Sequence, residues 1–411
     1  MSVASDAVRA SEGSFLIRNA RWLSAGVLMT FLSCFGQTFF ISVFAGEIRA
    51  DFGLSHGEWG GIYSAGTTAS AIVMVWAGVL SDKFRLRGLG TLILIGIAVA
   101  CLTMAANPWP WALAGVVFLL RFFGQGMASH VAMVAMARWF VATRGRALAI
   151  ATLGFAVGEA LLPMLFVALM SEFDWRLLWI VCAGVSVLGI PLLLALLRQE
   201  RSPQQSATDQ SVAGMGGRHW TRKQALRHPL FWLLTPAILG PSAFVTAFFF
   251  HQVHLAEIKD WSHLELVAWF PIYTGVSVVS MLVSGWALDR FGTRRLMPVY
   301  LLPMALAFLV FAYGNEPLAI ALGFTLLGLT AGANATLPAA FWADTYGTAH
   351  IGAIKALATA VMVLGSAIGP GVTGYLIDIG VGIETQFIAV AGFFVLTAAI
   401  VSFAVMRYRI N

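Results

Sequence analysis

Long apolar runs separated by short polar loops make up most of the chain. The runs are continuous, without the alternation of apolar and polar residues that marks a lipid-facing β-strand. A helix needs about 20 apolar residues to cross the hydrocarbon of a bilayer. The pattern therefore predicts an all-α membrane protein with twelve transmembrane helices, over residues 22–46, 59–80, 88–106, 110–137, 147–170, 176–197, 230–255, 263–288, 296–313, 317–342, 353–378 and 384–406.

Composition supports a membrane protein, and the motifs that are missing argue against several classes of enzyme. Hydrophobic residues make up 59% of the 411 residues and charged residues only 11%, against roughly a quarter charged in soluble domains. The sequence contains no Walker-type phosphate loop, nucleophile elbow or zinc-protease helix, so we predict no enzyme activity, no ATP-driven step and no cofactor. The three cysteines, Cys34, Cys101 and Cys182, are isolated within separate runs. We interpret them as packing residues and predict no metal site.

The distribution of basic residues predicts the orientation of the chain. With the N-terminus in the cytoplasm, 21 of the 25 lysine and arginine residues lie in cytoplasmic segments. The outer loops hold only Arg49, Arg176 and Lys259, which agrees with the positive-inside rule. We therefore predict cytoplasmic termini and a plasma-membrane location such as a bacterial inner membrane. Because the basic residues are scattered over many loops, nucleic-acid binding is not expected.

A turn sequence occurs twice, 207 residues apart, at residues 78–87 and 285–295. Each copy has a glycine, an aspartate four residues later, then a basic residue and a phenylalanine. Gly158 and Gly365 are separated by the same offset. The repeat predicts a cytoplasmic segment at 1–21, a six-helix bundle at 22–197, a cytoplasmic linker at 198–229, a second bundle at 230–406 and a cytoplasmic C-terminus at 407–411.

Both turns resemble the loop signature of the major facilitator superfamily of secondary transporters, which has the form Gly-x-Leu-Ala-Asp-Arg-x-Gly-Arg-Arg. The first copy departs from it at Arg85, where the family has glycine, and at Leu86, where the family has a basic residue; the second copy keeps Gly292. Arg121 begins a segment similar to the family's fourth-helix motif. The resemblance implies two pseudo-symmetric six-helix bundles around a site near the membrane midplane. Residues 139–149 look like the monocarboxylate and oxalate–formate branch, which implies small organic anions as substrates.

The resemblance also implies a role for the repeated turns. Asp82 would cap the eleventh helix and pair with Arg138 at the inner end of the fourth, forming a latch that breaks when the inner side opens. The alternative is a solvated turn with ordinary topology charges. Near the matching end of the tenth helix lies Asp344 instead of an arginine. The predicted latch residues are Gly78, Asp82, Arg87, Arg138, Gly285, Asp289, Arg290 and Arg294.

Arg121 and Glu159 are charged residues at similar predicted depths in the fourth and fifth runs. A charge near the middle of a membrane is costly and faces a cavity or a partner, so we predict that the two side chains pair. Arg121 would bind a substrate carboxylate, or Glu159 would carry a proton while Arg121 sets its pKa. The alternative is a structural ion pair that joins the two helices.

Other polar residues within the runs are predicted to line the same cavity. Polar side chains in membrane helices also bond to their own backbone or to neighbouring helices, so a packing role is the alternative. His251 and His254 near the outer end of the seventh helix are interpreted as solvated interfacial residues. The remaining candidates for substrate contact or coupling are Gln37, Gln125, His130, Tyr273 and Asn334.

These observations predict a secondary transporter that moves a small organic anion by alternating access. The expected partners are a small-molecule substrate, protons or an exchanged solute, and the lipid bilayer, with the protein acting as a monomer. One alternative is a proton-driven exporter of drugs or amphipathic metabolites. Another is a membrane sensor or assembly factor on the same fold.

Overall fold

The computed structural model describes the backbone of residues 2–140, 143–199 and 213–408, but not the side chains of residues 2–14, Asp82 and Gly352. Each of the twelve predicted runs falls on helical structure within those ranges. The main helices are α1 (Ser2–Leu32), α2 (His56–Ala77), α3 (Leu86–Ala106), α4 (Pro110–Trp139), α5 (Arg144–Met170), α6 (Trp175–Leu196), α7 (Pro229–Phe250), α8 (Phe270–Phe291), α9 (Leu302–Tyr313), α10 (Pro317–Tyr346), α11 (Ile351–Asp378) and α12 (Ile383–Arg407).

Length and composition make most of these helices suitable for crossing a bilayer. Within the described ranges, nine helices are long and apolar enough, and a tenth span arises if the bent pair Phe15–Gly36 and Thr38–Phe52 counts as one. The other two predicted runs fall on α2, whose first half is rich in glycine, serine and threonine, and on α9, which has 12 residues. The ninth run is helical mainly in its second part, because turns occupy residues 297–301.

Large apolar side chains cover the outer surfaces of the helices. Val75 and Leu188 are each 71% exposed, and Trp76 is 69% exposed. Exposed apolar surface of this extent is unfavourable in water but matches lipid. The described part of the chain contains no β-strand, and the predicted all-α membrane architecture is confirmed.

By packing, the chain divides into two compact units. The first comprises Met1–Phe40, Ala69–Leu162 and Leu169–Thr208; the second comprises Ile41–Thr68, Pro163–Ala168 and Asp209–Asn411. This division assigns the first half of α2 and the resumed part of the first span to the second unit. The predicted bundle boundaries at 22–197 and 230–406 follow chain order instead and stay a prediction. Residues 200–212 of the predicted linker and 409–411 of the predicted C-terminus lie outside the described residues.

Glycines at matching positions of the repeat permit close helix crossings within each unit. A Cβ added at Gly158 of α5 would lie against the Cys34 Sγ atom, and one added at Gly365 of α11 would lie 2.7 Å from the carbonyl oxygen of Leu239 in α7. Close backbone approach through small residues is how membrane helices gain packing contacts. The duplication seen in the sequence therefore corresponds to equivalent crossings, the first span with α5 in the first unit and α7 with α11 in the second.

Candidate functional site

The first membrane span is interrupted near its middle. After α1 ends at Leu32, residues Ser33–Gly36 form a 3-10 turn, and Gln37 is extended with φ −85° and ψ 152° before helix resumes at Thr38. Such a break leaves backbone carbonyls without their usual helical partners. In a membrane these groups need other donors, because no water is available to them.

The segment of α4 that faces this break is itself irregular. Residues Leu120–Ala128 form a π-helical stretch, a rare geometry that is often found at functional sites. Gly36 and Gly124 meet at the crossing: a Cβ added at Gly124 would lie 2.6 Å from the Gly36 Cα atom. Only glycine at both positions allows this approach.

Arg121 connects the two irregular segments of the first unit. Its side chain is 2% exposed, and its Nη1 atom donates hydrogen bonds to the Gly36 carbonyl oxygen and to Thr38 Oγ1, each at 3.2 Å. The guanidinium therefore stabilises the break in the first span. Gln37 lies at the break with 9% of its surface exposed, and Gln125 is half-buried in the π-helical stretch.

Glu159 is half-buried in α5, in the same unit. It lies close enough to Cys34, within the 3-10 turn, to interact with it electrostatically. Arg121 and Glu159 thus both lie beside residues 34–38 of the interrupted span. Their direct pairing stays a prediction.

His130, which was predicted to line the cavity, contacts the first repeated turn. Its Nε2 atom is 3.3 Å from Ser81 Oγ and 3.3 Å from the Gly78 carbonyl oxygen. Ser81 Oγ also donates to the Gly78 oxygen at 2.7 Å. His130 therefore contacts Gly78 and Ser81 of the first repeated turn, directly after α2.

Arg138 reaches the same turn from the end of α4. Its Nη1 atom donates a hydrogen bond to the Ser81 carbonyl oxygen at 2.9 Å, directly before Asp82. Arg87 follows as the second residue of α3 and is exposed. The side chain of Asp82 lies outside the described residues, so its pairing with Arg138 stays a prediction.

The second repeated turn has different contacts. Asp289 is exposed, and the Arg290 guanidinium lies 5.9 Å from the ring centroids of both Trp286 and Phe291. Thr293 is 1% exposed and donates through Oγ1 to Asp344 Oδ2 at 2.8 Å. At this turn the contact from the tenth helix is an acceptor, whereas Arg138 supplies a donor at the first.

Tyr273 and Asn334 lie in the second unit. Tyr273 is 6% exposed, with its ring centroid 5.3 Å from that of Phe249. The Asn334 Oδ1 atom accepts from the Tyr300 hydroxyl at 3.4 Å, and that hydroxyl also donates to the Ala237 carbonyl oxygen at 3.0 Å. Asn334 thus contacts Tyr300, in the segment before α9, and Tyr300 in turn contacts α7.

A tight crossing of α2 and α11 in the second unit was not predicted. A Cβ added at Gly60 would lie 2.6 Å from the Pro370 carbonyl oxygen, and one at Gly374 would lie 2.3 Å from the His56 oxygen. Asp378 at the end of α11 accepts hydrogen bonds from Ser55 Oγ at 2.7 Å and from the backbone nitrogens of His56 at 3.1 Å and Gly57 at 2.8 Å. The carboxylate therefore caps the N-terminus of α2. The small residues in the second and eleventh runs, such as Gly60 and Gly374, were the sequence signal for this crossing.

The interpretation of His251 and His254 as solvated residues was wrong for His251. It is 3% exposed, and its Nε2 atom lies 3.0 Å from the Pro370 carbonyl oxygen. The ring centroid of His56 is 4.1 Å from that of His254 and 6.0 Å from that of His251. Contact with the backbone of α11, invisible in the sequence, removes His251 from water. The three histidines form a cluster at the end of the unit where α2 begins.

Burial changes the titration of this cluster. Desolvation lowers the pKa of His251 from 6.5 to about 3, with smaller contributions of the same sign from His56, His254 and Arg49; the hydrogen bond to Pro370 opposes them. Burial also lowers the pKa of His254, against the opposing effect of Glu257. The packed arrangement therefore favours neutral histidines at neutral pH. Among the described residues no group of three histidine, cysteine or acidic side chains could hold a metal ion.

Comparison with known families identifies the fold. The model of the Major Facilitator Superfamily matches residues 26–297 and 252–410. The chain belongs to the major facilitator superfamily. The protein is an integral multi-pass membrane protein, and the family expected from the repeated turns is confirmed. These matches also support the expectation that the chain is not an enzyme.

Several characterised relatives show moderate similarity. The membrane sensor protein UhpC of Salmonella typhimurium is 26% identical over 256 residues, covering 55% of this chain and 54% of UhpC. The probable sulfoacetate transporter SauU of Cupriavidus necator is 28% identical over 245 residues, covering 57% and 52%. Monocarboxylate transporter 13 of Bos taurus is 26% identical over 291 residues, covering 68% and 64%. The chain spans about half the length of the first two relatives.

A solved structure supports the fold over nearly the whole chain. A bacterial homologue of the human lysosomal transporter Spinster, in an inward-facing and unoccupied conformation, superposes with a TM-score of 0.74. The match covers 95% of this chain and 98% of that structure, at 16% sequence identity. At this identity the likeness establishes the architecture alone.

Proposed function

We propose that the protein is a secondary transporter that moves a small organic anion across the membrane by alternating access. The observation that carries this proposal is the buried Arg121 at the interrupted first span. Transporters of this general type bind substrate near the midplane beside discontinuous helices. The break at residues 33–37 and the π-helical stretch opposite it provide such a place in the first unit.

The chemistry of Arg121 favours an anion. A guanidinium keeps its charge in a membrane and presents a planar fork that matches two carboxylate oxygens. The hydrogen bonds from its Nη1 atom to Gly36 and Thr38 hold the fork in a defined orientation. Relatives named for monocarboxylate and sulfoacetate transport support the same substrate class.

Glu159 is our candidate for proton coupling. It is an acidic residue beside the same interrupted segment, and a proton gained there would change the local charge next to the bound anion. Coupled movement of an anion and a proton requires such a group to titrate during the cycle. Exchange of one anion for another is the alternative driving force.

Alternating access is supported by the contacts of the second unit. The crossing of α2 and α11 lies at the predicted outer end, where Asp378 holds the start of α2. In our proposal, these contacts break when the transporter opens at that end. We further propose that both termini are cytoplasmic, that the two predicted bundles move as the rocking bodies, and that the protein acts as a monomer in a bacterial inner membrane.

Uptake of labelled lactate, acetate and sulfoacetate into proteoliposomes, with and without an imposed pH gradient, tests the proposal. We expect at least one anion to accumulate, and an inward proton gradient to increase its uptake. Glu159→Gln is expected to abolish the effect of the gradient while leaving anion exchange measurable. Absence of flux for all anions with correctly inserted protein would contradict the proposal.

A sensor is the second candidate, because UhpC is named a membrane sensor protein. A sensor on this fold would bind the anion without moving it. Equilibrium binding of a labelled anion to purified protein, combined with no flux in the same proteoliposomes, would favour the sensor over the transporter.

A further inference from the structure

A pocket of about 520 Å³ lies where the first repeated turn meets the end of α6. Its walls come from the first repeated turn, the beginning of α3 and the residues just after α6, all within the first unit. The pocket is separate from Arg121 and from the cluster of histidines. Of its lining residues, only Arg87 belongs to the predicted latch, and the proposed transport site uses none of them.

Three arginines line this pocket: Arg85, Arg87 and Arg198. All three are exposed, and together they bring three positive charges to one lining. Arg85 also precedes the first turn of α3, whose backbone N–H groups and dipole add positive potential at the same place. The pocket is therefore suited to an anion.

Most of the other lining residues are apolar, and two of them are strongly exposed. Phe84 is 60% exposed and Leu92 is 59% exposed, and both contribute to the wall. By the positive-inside prediction the pocket lies at the cytoplasmic boundary of the bilayer. A phosphate would reach the arginines while an acyl chain lay along Phe84 and Leu92. A free phosphate would use only the charged part of this lining.

The pocket is held in place by contacts from α1. The Arg21 Nη2 atom donates to the Ala195 carbonyl oxygen at 3.2 Å, and the Trp22 Nε1 atom donates to the Gln199 oxygen at 2.9 Å. These bonds fix the end of α6 on either side of Arg198. Gly88 leaves open space in the lining, because a Cβ added there would meet no atom within 4 Å.

We propose that this pocket binds the headgroup of an anionic phospholipid. Basic pockets between membrane helices on the cytoplasmic side are suited to such headgroups. The sequence feature behind it is Arg85, which stands where the family signature has glycine and where the second copy has Gly292. The site therefore belongs to the first turn alone.

Native mass spectrometry of the purified full-length protein in detergent tests this inference. Phosphatidylglycerol is titrated against phosphatidylcholine with the same acyl chains. We expect tighter binding of phosphatidylglycerol, and roughly twentyfold weaker binding after combined Arg85→Gln and Arg198→Gln substitution. The matched control is Arg144→Gln with Arg295→Gln, which removes the same charge from exposed residues outside the pocket and is expected to preserve binding.

Two further experiments test whether the lipid occupies this pocket and whether its acyl chains are needed. Gly88→Trp fills the pocket without removing charge and is expected to weaken phosphatidylglycerol binding, with a thermal melt checking that the variant folds. Glycerol phosphate without acyl chains is expected to compete poorly. Equal binding of the two lipids, equal losses in the control pair, unchanged binding in folded Gly88→Trp, or strong competition by glycerol phosphate would overturn the inference.

Discussion

The two copies of the repeated turn share a sequence but differ in backbone and in partner. In the first, Arg85 has φ −74° and ψ 146°, a conformation open to any residue. In the second, Gly292 has φ 73° and ψ 165°, a region in which side chains are strained. The fourth helix supplies a donor, Arg138, to the first turn, whereas the tenth supplies an acceptor, Asp344, to the second.

This difference teaches that duplication has preserved the position of the turn and not its chemistry. In the first turn an arginine donates to a backbone carbonyl, and in the second a carboxylate accepts from a buried threonine. We expect these two contacts to respond differently to substitution and to salt. We infer that the two turns contribute unequally to closing the predicted inner side. The following experiments test whether the two turns contribute unequally.

Substituting the residue at the glycine position of the signature, Gly292 in the second turn and Arg85 in the first, is expected to reveal the largest difference between the turns. Gly292→Ala puts a side chain where φ is 73° and should cost about 1–3 kcal/mol. Arg85→Gly, the matched change in the first turn, relieves no such strain and should lower stability by much less. Thermal unfolding in detergent measures both. Equal losses for the two variants would show that the backbone difference has no energetic consequence.

Removing the donor of the first turn is expected to have an effect of similar size. Arg138→Gln loses a charge-assisted hydrogen bond, worth about 1.5–3 kcal/mol, and anion uptake should fall roughly tenfold. Asp344→Asn keeps an oxygen that can accept from Thr293, so uptake should fall by less than threefold. Initial uptake rates, corrected for the amount of inserted protein, give the comparison. The inequality would be contradicted if Asp344→Asn were the more damaging change.

The cluster of histidines in the second unit supplies a pH-dependent contrast, because neither repeated turn contains a histidine. The pKa of His251 is lowered to about 3 when packed, so between pH 6.5 and 3 the separated state binds the proton more readily. Packing of α2 on α11 should therefore weaken by about 1.4 kcal/mol per pH unit in that window. It should be unaffected above pH 7.

Spin labels on cysteines at Gly61 and Gly382, where an added Cβ meets no atom within 4 Å, report that packing by pulsed electron resonance. The distance distribution should broaden toward longer values at pH 5 relative to pH 8. His251→Gln, which keeps a donor for Pro370 without titrating, should reduce the change. A distribution independent of pH in the parent protein would contradict this account of the histidine cluster.

The smallest effect is expected at the buried hydroxyl of the second turn. Thr293→Val keeps the shape of the side chain and removes the donor to Asp344, which should lower stability by about 1 kcal/mol. Thr293→Ser keeps the donor and is the matched control. Thermal unfolding of the two variants separates the hydrogen bond from packing. Equal melting temperatures for both variants would remove this bond from the account.

The sequence was sufficient for the coarse architecture because apolar run length is the dominant signal in a membrane. The helices could be predicted in this way. The asymmetry at Arg85 and Gly292 could be predicted by comparing the two turns with the family signature. The break at residues 33–37 could not, because glycine and isolated polar residues also occur inside the uninterrupted helices. Its cause is the crossing of Gly36 and Gly124, which involves two distant segments.

The same limitation applies to side-chain partners. His130 was expected to line the cavity, yet it contacts Ser81 and Gly78, since helical depth alone does not give the face on which a residue lies. His251 was expected to be solvated, and packing against Pro370 removes it from water. Arg121 was correctly recognised as buried, but its contacts with Gly36 and Thr38 depend on a break that periodicity does not encode.

The central claim, that Arg121 binds the substrate anion, is tested most directly by comparing Arg121→Lys with Arg176→Lys. Both arginines donate to backbone carbonyls; Arg176 Nη1 donates to the Ala105 and Asn107 oxygens at 2.9 and 2.8 Å. Lysine can replace a single donor to a carbonyl but not a planar fork on a carboxylate. In proteoliposome uptake of labelled lactate or sulfoacetate, we predict that Arg121→Lys loses transport at least tenfold while Arg176→Lys retains it. Full uptake by Arg121→Lys would contradict the account.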